Sequence, residues 1–260
     1  MSPHSIGFIG GGRIARILLG GLDRAGASPA TCVVSDADTI VLETLARRFP
    51  GIRTTGADIA EPARQDVVFG ALHPPAMKDA LPGIGRHLRP ETVFISLAPV
   101  IRLPALKNAL GGFDRLARMI PNAASIVGSG FNPIALSEGL GTAVKTKLLE
   151  WLGVLGECPE VADEQLEAYA ILTAMGPTYF WYQFEELEKL GVGFGLDAQT
   201  TRHALSRMLH GSVTTFFESN MRAEEVIDLI PVNPLESSEN QVRDAYRTRL
   251  RALHDKLTQR

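Results

Sequence analysis

Six residues near the start constrain this chain more than anything that follows them. Gly10-Gly11-Gly12-Arg13-Ile14-Ala15 directly follows an apolar run, Ser5–Gly10 (SIGFIG). It directly opens a segment, Arg13–Arg24, in which Ile14, Ile17, Leu18, Gly21 and Leu22 recur at helical spacing. The string fits G-x-G-x-x-A, and strand, loop and helix in that order are the context the dinucleotide-binding fingerprint requires. Each position meets a physical demand. Gly10 lets the chain turn tightly after the strand, Gly12 lets the backbone approach a pyrophosphate, and Ala15 lets helix and strand pack closely. The free N–H groups of the new helix, with Arg13 and Ile14 in its first turn, then point at the phosphates.

An acidic residue about 20 residues further on, at the end of the second strand, hydrogen-bonds the adenosine ribose in such folds. Asp36 lies there, after Cys32–Val34 and Ser35. Its carboxylate favours a free 2′-hydroxyl and repels a 2′-phosphate. The expected cofactor is therefore NAD or NADP, with NAD favoured. The plainer reading of Asp36 is a turn or N-cap residue ahead of the next helix. Arg13, Arg47 and Arg48 are candidates to reach a 2′-phosphate.

The rest of the first half alternates in the same way. Thr31–Ser35, Asp66–Leu72, Thr92–Ala98 and Arg115–Pro121 read as strands, several apolar at consecutive positions, as strands buried on both faces are. Thr39–Phe49 and Leu103–Leu110 read as helices between them. Alternating strands and helices imply a parallel sheet with helices on both faces. After about residue 158 the strand patterns stop. Asp163–Thr173, Thr178–Leu190, Asp197–Ser219 and Glu239–Leu257 read as helices, broken at Gly191–Gly195 and Pro231–Pro234. The expected fold class is α/β: an N-terminal Rossmann-type parallel-sheet domain over 1–158, then an all-helical C-terminal domain over 159–260.

Composition narrows the function classes. The 260 residues are 45% apolar and 21% charged, ordinary for a globular chain. A net charge of −3 provides no basic field for nucleic acid or an anionic membrane surface. No uncharged apolar run reaches membrane-spanning length. Cys32 and Cys158 are too few for a disulfide framework or a four-thiolate zinc site. His203 and His210 share a helix face without a further ligand at i+4, so no metal is expected. A cytoplasmic protein acting on a small molecule is the expectation.

Five segments, in order, resemble the pyrroline-5-carboxylate reductases, which reduce a cyclic imine with a nicotinamide cofactor. Ile6–Ala15 is similar to the family's opening loop. Val68–Pro75 (VFGALHPP) resembles VFLAVKP, and Phe94–Ile101 (FISLAPVI) resembles ISxAAGI. Arg118–Gly130 (RMIPNAASIVGSG) resembles RxMPNTPxxVGxG, and Thr173–Leu196 resembles SGSGPAYxFxFIEAL…GVxLGL. The resemblance implies that Ala71, Leu72, His73, Pro74 and Ala98 line the cofactor together with Gly10, Gly12, Arg13, Ile14, Ser35 and Asp36. It also implies a homodimer through the helical domain. By the same resemblance Asn122 lies near the nicotinamide, where its amide could orient the ring; an Asx-turn is the other reading. His73 stands where the family has a cofactor-lining lysine. It reads as a cofactor contact, with proton transfer the alternative.

The departures fall on the substrate side. The family's loop S-P-G-G-x-T binds the substrate carboxylate through backbone amides and its nitrogen through the threonine. Here the region reads Asn233-Pro234-Leu235-Glu236-Ser237-Ser238. Both glycines are replaced, Ser237 or Ser238 takes the place of the threonine as the catalytic hydroxyl, and Glu236 puts a carboxylate where a carboxylate should bind. SGSGP has become TAMGP, so Met175 and Gly176 border a more apolar pocket. The resemblance implies an NAD(P)-dependent reductase of a C=N group whose substrate need not be pyrroline-5-carboxylate. The alternative is a non-catalytic NAD(P)-binding regulatory or partner protein that kept the cofactor site and lost the substrate loop. A β-hydroxyacid dehydrogenase-like enzyme with Lys189 as its catalytic lysine is a third, weaker reading, because Lys189 lies in a glutamate-rich helix.

Overall fold

The computed structural model describes residues 3–259. Among the described residues nine strands form, in chain order β1 (Ser5–Ile9), β2 (Thr31–Ser35), β3 (Ile52–Thr54), β4 (Val67–Gly70), β5 (Val93–Ser96), β6 (Leu116–Met119), β7 (Gly130–Phe131), β8 (Ile134–Leu136) and β9 (Gly156–Glu157). The main sheet has the order β3-β2-β1-β4-β5-β6-β8. All its pairs are parallel except β6–β8. The strand order reverses between β1 and β4, so a crevice opens beyond their carboxyl ends.

Burial on both faces explains why the strands carry consecutive apolar residues. β1, β4, β5 and β6 are buried at every position. One face contributes Phe8 and Phe69, stacked at 4.7 Å between centroids, to a core with Leu18, Leu22 and Trp151. The other face packs Ile9, Val68 and Phe94 against Met77, Leu81 and Ile84. Burying a side chain of this size stabilises the fold by about 1.5–3 kcal/mol.

Helix α1 (Arg13–Arg24) runs as its spacing predicts, burying Ala15, Leu18, Leu19, Gly21 and Leu22. Gly21 is required by a close approach, because a Cβ there would collide with the carbonyl oxygen of Ser125. α2 (Thr39–Arg48) and α4 (Leu103–Ala109) also fall where the pattern puts them. α3 (Pro74–Gly85) is not apparent from the sequence. Its Pro74-Pro75 start and internal Pro82 read as loop, yet Met77, Leu81 and Ile84 are buried at helical spacing. Pro74 occupies the first helical position, where its missing N–H is no loss. α5 (Gly141–Leu152) completes the core with Leu148, Trp151 and Leu152.

The helix expected over Asp163–Thr173 is present without a break and changes type along its length, from a 3₁₀ turn (Asp163–Gln165) through α6 (Leu166–Tyr169) to a π turn (Ala170–Ala174). The π turn is closed by Met175 N–H donating to the Ala170 carbonyl at 3.0 Å. The Thr173 carbonyl accepts from the Asn122 side chain instead.

The chain divides into two compact units. The sheet unit runs to Met175 and is rejoined by the chain from His254; the helical unit is Gly176–Leu253. The helical unit holds a 3₁₀ turn (Gly176–Tyr179), α7 (Trp181–Gly193), α8 (Ala198–Glu218), α9 (Ala223–Asp228) and most of α10 (Glu236–Thr258). Two boundaries differ from expectation. Gly191 lies inside α7, where its missing Cβ makes room for Thr201 of α8. α10 begins at Glu236, before the predicted Glu239, because the Asn233 Oδ1 accepts Leu235 N–H and its carbonyl accepts Glu236 N–H. Among the described residues, no helix is long and apolar enough to cross a membrane.

Candidate functional site

The carboxyl ends of β1, β2, β4 and β5 gather the residues that the fingerprint predicts. Gly10 has φ +104°, and a Cβ on it would stand 2.6 Å from the Ala71 carbonyl oxygen. Its N–H donates to the Ser35 carbonyl at 2.8 Å, and Ala71 N–H donates to Ile9 at 2.8 Å. Three strand ends are thus drawn together at a residue that only glycine fits. Ser35 takes part through this carbonyl, and its hydroxyl turns inward to the Phe8 carbonyl at 3.5 Å.

Gly12 is the N-cap of α1, and nothing lies within 4 Å of where its Cβ would be. No side chain caps α1, and its first turn holds no acidic residue. The helices α2 and α8 are built differently. Asp38 accepts from Ile40 N–H at 2.9 Å, and Asp197 accepts from Gln199 and Thr200 N–H at 3.0 Å. The open amides of α1, with Arg13 exposed and Ile14 half-buried beside them, are suited to an anionic group.

Asp36 is half-buried and does more than the ribose rule asks. Its Oδ2 accepts from Gly11 N–H at 2.7 Å and its Oδ1 from Asp38 N–H at 2.9 Å. The carboxylate therefore fixes the middle of the glycine loop. A carboxylate has room for about four hydrogen bonds, so acceptor capacity remains for a sugar hydroxyl.

His73 is the exposed N-cap of α3, and its side chain makes no capping bond. Leu72 is half-buried and its methyl group lies 3.2 Å from the Gly10 Cβ position. Ala98 is buried at the end of β5, its N–H 3.4 Å from the Ser96 hydroxyl. Asn122 is held on both sides of its amide. Oδ1 accepts from Ala124 N–H at 2.8 Å, which is an Asx-turn, and Nδ2 donates to Thr173 O at 2.5 Å. Its backbone N–H and the Ser125 hydroxyl both donate to Asn132 Oδ1 at 2.8 Å.

The predicted substrate residues are placed as follows. Met175 closes the π turn and Gly176 opens the 3₁₀ turn after it. Glu236, Ser237 and Ser238 are exposed on the first turn of α10. That turn differs from an amide cradle for an anion. The N–H groups of Leu235, Glu236 and Ser238 already bond to Asn233, Asn233 and Leu235. Both Glu236 and Glu239 sit in the turn, and Glu239 accepts from Asn233 Nδ2 at 3.2 Å.

The sequence reading missed a buried charge cluster that joins β6 to the loop after β5. Arg118 on β6 is 1% exposed; its Nη1 lies 2.5 Å from Asp163 Oδ1 and its Nη2 lies 2.6 Å from Glu167 Oε1. Glu167 also accepts Val100 N–H, and Asp163 Oδ2 accepts Leu103 N–H, both at 3.0 Å. The available signal was an arginine within the apolar run Arg115–Pro121, which must find partners if it is buried.

Lys189, by contrast, is 62% exposed and pairs with Glu185 at 2.8 Å. The hydrogen bond and charge of Glu185 push its ammonium above the ordinary lysine value, opposite to what a catalytic base needs. Among the described residues, no group of histidines, cysteines and carboxylates could hold a metal ion.

Residues 5–99 match a family model described as NADP oxidoreductase, coenzyme F420-dependent. The chain is 26% identical over 227 residues to pyrroline-5-carboxylate reductase 1 of Bacillus spizizenii, covering 86% of this chain and 76% of that protein. It is 27% identical over 219 residues to the pyrroline-5-carboxylate reductase of Mycobacterium tuberculosis, covering 82% and 74%. Its fold is similar to the crystal structure of Plasmodium falciparum pyrroline carboxylate reductase with NADP bound, with a TM-score of 0.84 at 19% identity over 99% of this chain and 98% of that one. By sequence over most of its length and by fold over nearly all of it, the chain is similar to the pyrroline-5-carboxylate reductases.

Proposed function

We propose that this chain is an NAD(P)-dependent reductase that delivers hydride to a C=N carbon. The observation that carries the cofactor half is the uncapped first turn of α1 beside Gly12, with Asp36 bracing the loop. Gly10, Gly12, Arg13 and Ile14 take the pyrophosphate, and Asp36 takes the ribose. Ala71, Leu72, His73, Pro74, Ala98 and Asn122 line the remainder, with Ser35 acting through its backbone. The bound cofactor supplies the hydride, and a proton on the imine nitrogen completes reduction to an amine. The protein contributes orientation and electrostatics. Asp36 and the neighbouring Asp38 support NAD over NADP, because a 2′-phosphate would meet two carboxylates.

The relatives' names point to pyrroline-5-carboxylate, but the start of α10 argues for a different imine. Its amides are spent within the turn, and Glu236 and Glu239 repel a carboxylate. An imine that lacks a carboxylate, or carries an amine, suits this turn, with the hydroxyl of Ser237 or Ser238 bonded to its nitrogen. Met175 and Gly176 contribute an apolar border. Initial rates with NADH and NADPH test this on pyrroline-5-carboxylate, an uncharged cyclic imine and an amine-bearing imine. Efficient proline formation overturns the substrate assignment. Cofactor binding without turnover across the panel overturns the catalytic one and leaves the regulatory alternative.

The helical unit supports a homodimer. Among its described residues no apolar side chain is buried, while Phe194, Phe217, Ile230 and Leu235 are each more than 70% exposed. A second copy would cover them. The two free cysteines support a cytoplasmic location. Sedimentation at micromolar concentration that shows only monomer overturns the dimer.

A further inference from the structure

Two non-glycine residues among those described have positive φ, Asn220 at 60° and Val100 at 79°. Asparagine tolerates that region; a β-branched residue there is a true outlier. Val100 also falls where the motif ISxAAGI, which this segment resembles, has glycine. Something must hold the backbone in place against the side chain. The hydrogen bonds identify it. Val100 N–H donates to Glu167 Oε1 at 3.0 Å, and Leu103 N–H donates to Asp163 Oδ2 at 3.0 Å. Both carboxylates are oriented by Arg118, whose Nη2 bonds the same Glu167 oxygen at 2.6 Å. Glu167 is 1% exposed, and its Oε2 makes no hydrogen bond among the described residues.

The held loop leaves the carboxyl end of β5, next to β4, on the side of the sheet where ligands lie in open α/β folds. A loop needed only to connect β5 to α4 has no reason to keep a strained valine. Strain that the surroundings over-determine gathers at functional sites. The same segment grips the adjoining turn as well, since Asn122 donates to Thr173. We propose that Glu167 is a positioning residue for hydride transfer. Through Oε1 it fixes the left-handed turn at Val100, and so the loop wall at Ala98–Val100 beside the cofactor's reactive end. This rests on the reductase reading above.

The atom that matters is an acceptor at the Oε1 position, not a charge. Glu167→Gln keeps that acceptor and puts its amide NH₂ where Oε2 makes no bond, so kcat at saturating cofactor and imine should stay within about threefold of wild type. Glu167→Leu keeps bulk but removes the acceptor, and kcat should fall about tenfold or more while the KM for cofactor changes less. Val100→Gly is the reference for the double variant. In that background Glu167→Leu should cost much less kcat than it does in wild type, because glycine holds φ +79° unaided. A purely structural role would lower the melting temperature without this pattern of rescue.

A tenfold loss in Glu167→Gln, or a loss in Glu167→Leu that Val100→Gly leaves unrelieved, overturns the proposal. If Glu167→Leu does not accumulate folded, Glu167→Gln and amide exchange at Val100 decide: wild-type kcat with a slow-exchanging amide supports it, and fast exchange in wild type overturns it. Failure of the reductase reading shows separately, as no imine reduction by the wild-type protein.

Discussion

The sheet unit and the helical unit are stabilised in opposite ways. In the first, β1, β4, β5 and β6 are buried at every position, and two apolar clusters fill both faces of the sheet. In the second, the helices and the segments between them expose phenylalanines, leucines and isoleucines, and Thr201 is the buried side chain that stands out. Local pattern makes a helix in either place, but only the first unit supplies its own covering. A 78-residue helical array without a buried apolar side chain cannot offset its conformational entropy alone. The difference teaches that burial within the chain accounts for the first unit, while the apolar side chains of the second lie uncovered in the single chain.

Matched substitutions break or sharpen this contrast. Phe8→Ala should cost about 3–5 kcal/mol in urea unfolding at any protein concentration, since Phe8 is fully buried against Phe69. Phe217→Ala, at a side chain 75% exposed in the single chain, should cost little at high dilution and progressively more as concentration rises. Equal costs at all concentrations would sink the contrast. Gly10→Ala should weaken cofactor binding by about 100-fold, because it adds both the strain of φ +104° and a clash with Ala71, and should leave assembly unchanged. Titration by cofactor fluorescence and sedimentation on the same sample would check both halves.

A smaller effect is expected at Asp36. Asp36→Ala frees Gly11 N–H and removes the ribose acceptor, so NADH affinity should fall about tenfold and NADPH affinity less. An equal loss for both would show that Asp36 only braces the loop. The smallest effect concerns Asp66. Burial raises its pKa, but Arg89 and the Ser5 N–H outweigh this, and the net shift is below the ordinary 3.8. A depressed folded-state pKa means stability that is present above that value and is lost as pH falls through the acid range. Asp66→Asn should therefore shallow the loss of stability below about pH 4, by a modest amount because the pair is partly exposed.

What the sequence made legible was local. The glycine loop, α1 and the strand alternation are patterns within a few residues of one another, and each has the predicted place in the fold. Helix α3 stayed hidden because its prolines signal loop more loudly than Met77, Leu81 and Ile84 signal helix. The Asp163–Thr173 helix was legible, but not its widening into a π turn, because periodicity does not report that Asn122 takes the Thr173 carbonyl. The Arg118 cluster was out of reach for the same reason: its partners lie 45 and 49 residues away in the chain. Charge in an apolar run announces that a partner exists, not which one it is.

The two margins of the main sheet carry a last consequence. β3 and β8 have three residues each, and β8 runs against its neighbour. The outer margin of β8 is already occupied, with Ile134 N–H bonded to Pro159 O and Ile134 O accepting Val161 N–H. A sheet so bordered offers little template for another strand. Strand addition at the β8 margin would have to displace those two bonds, and at β3 it would find only three residues to pair with.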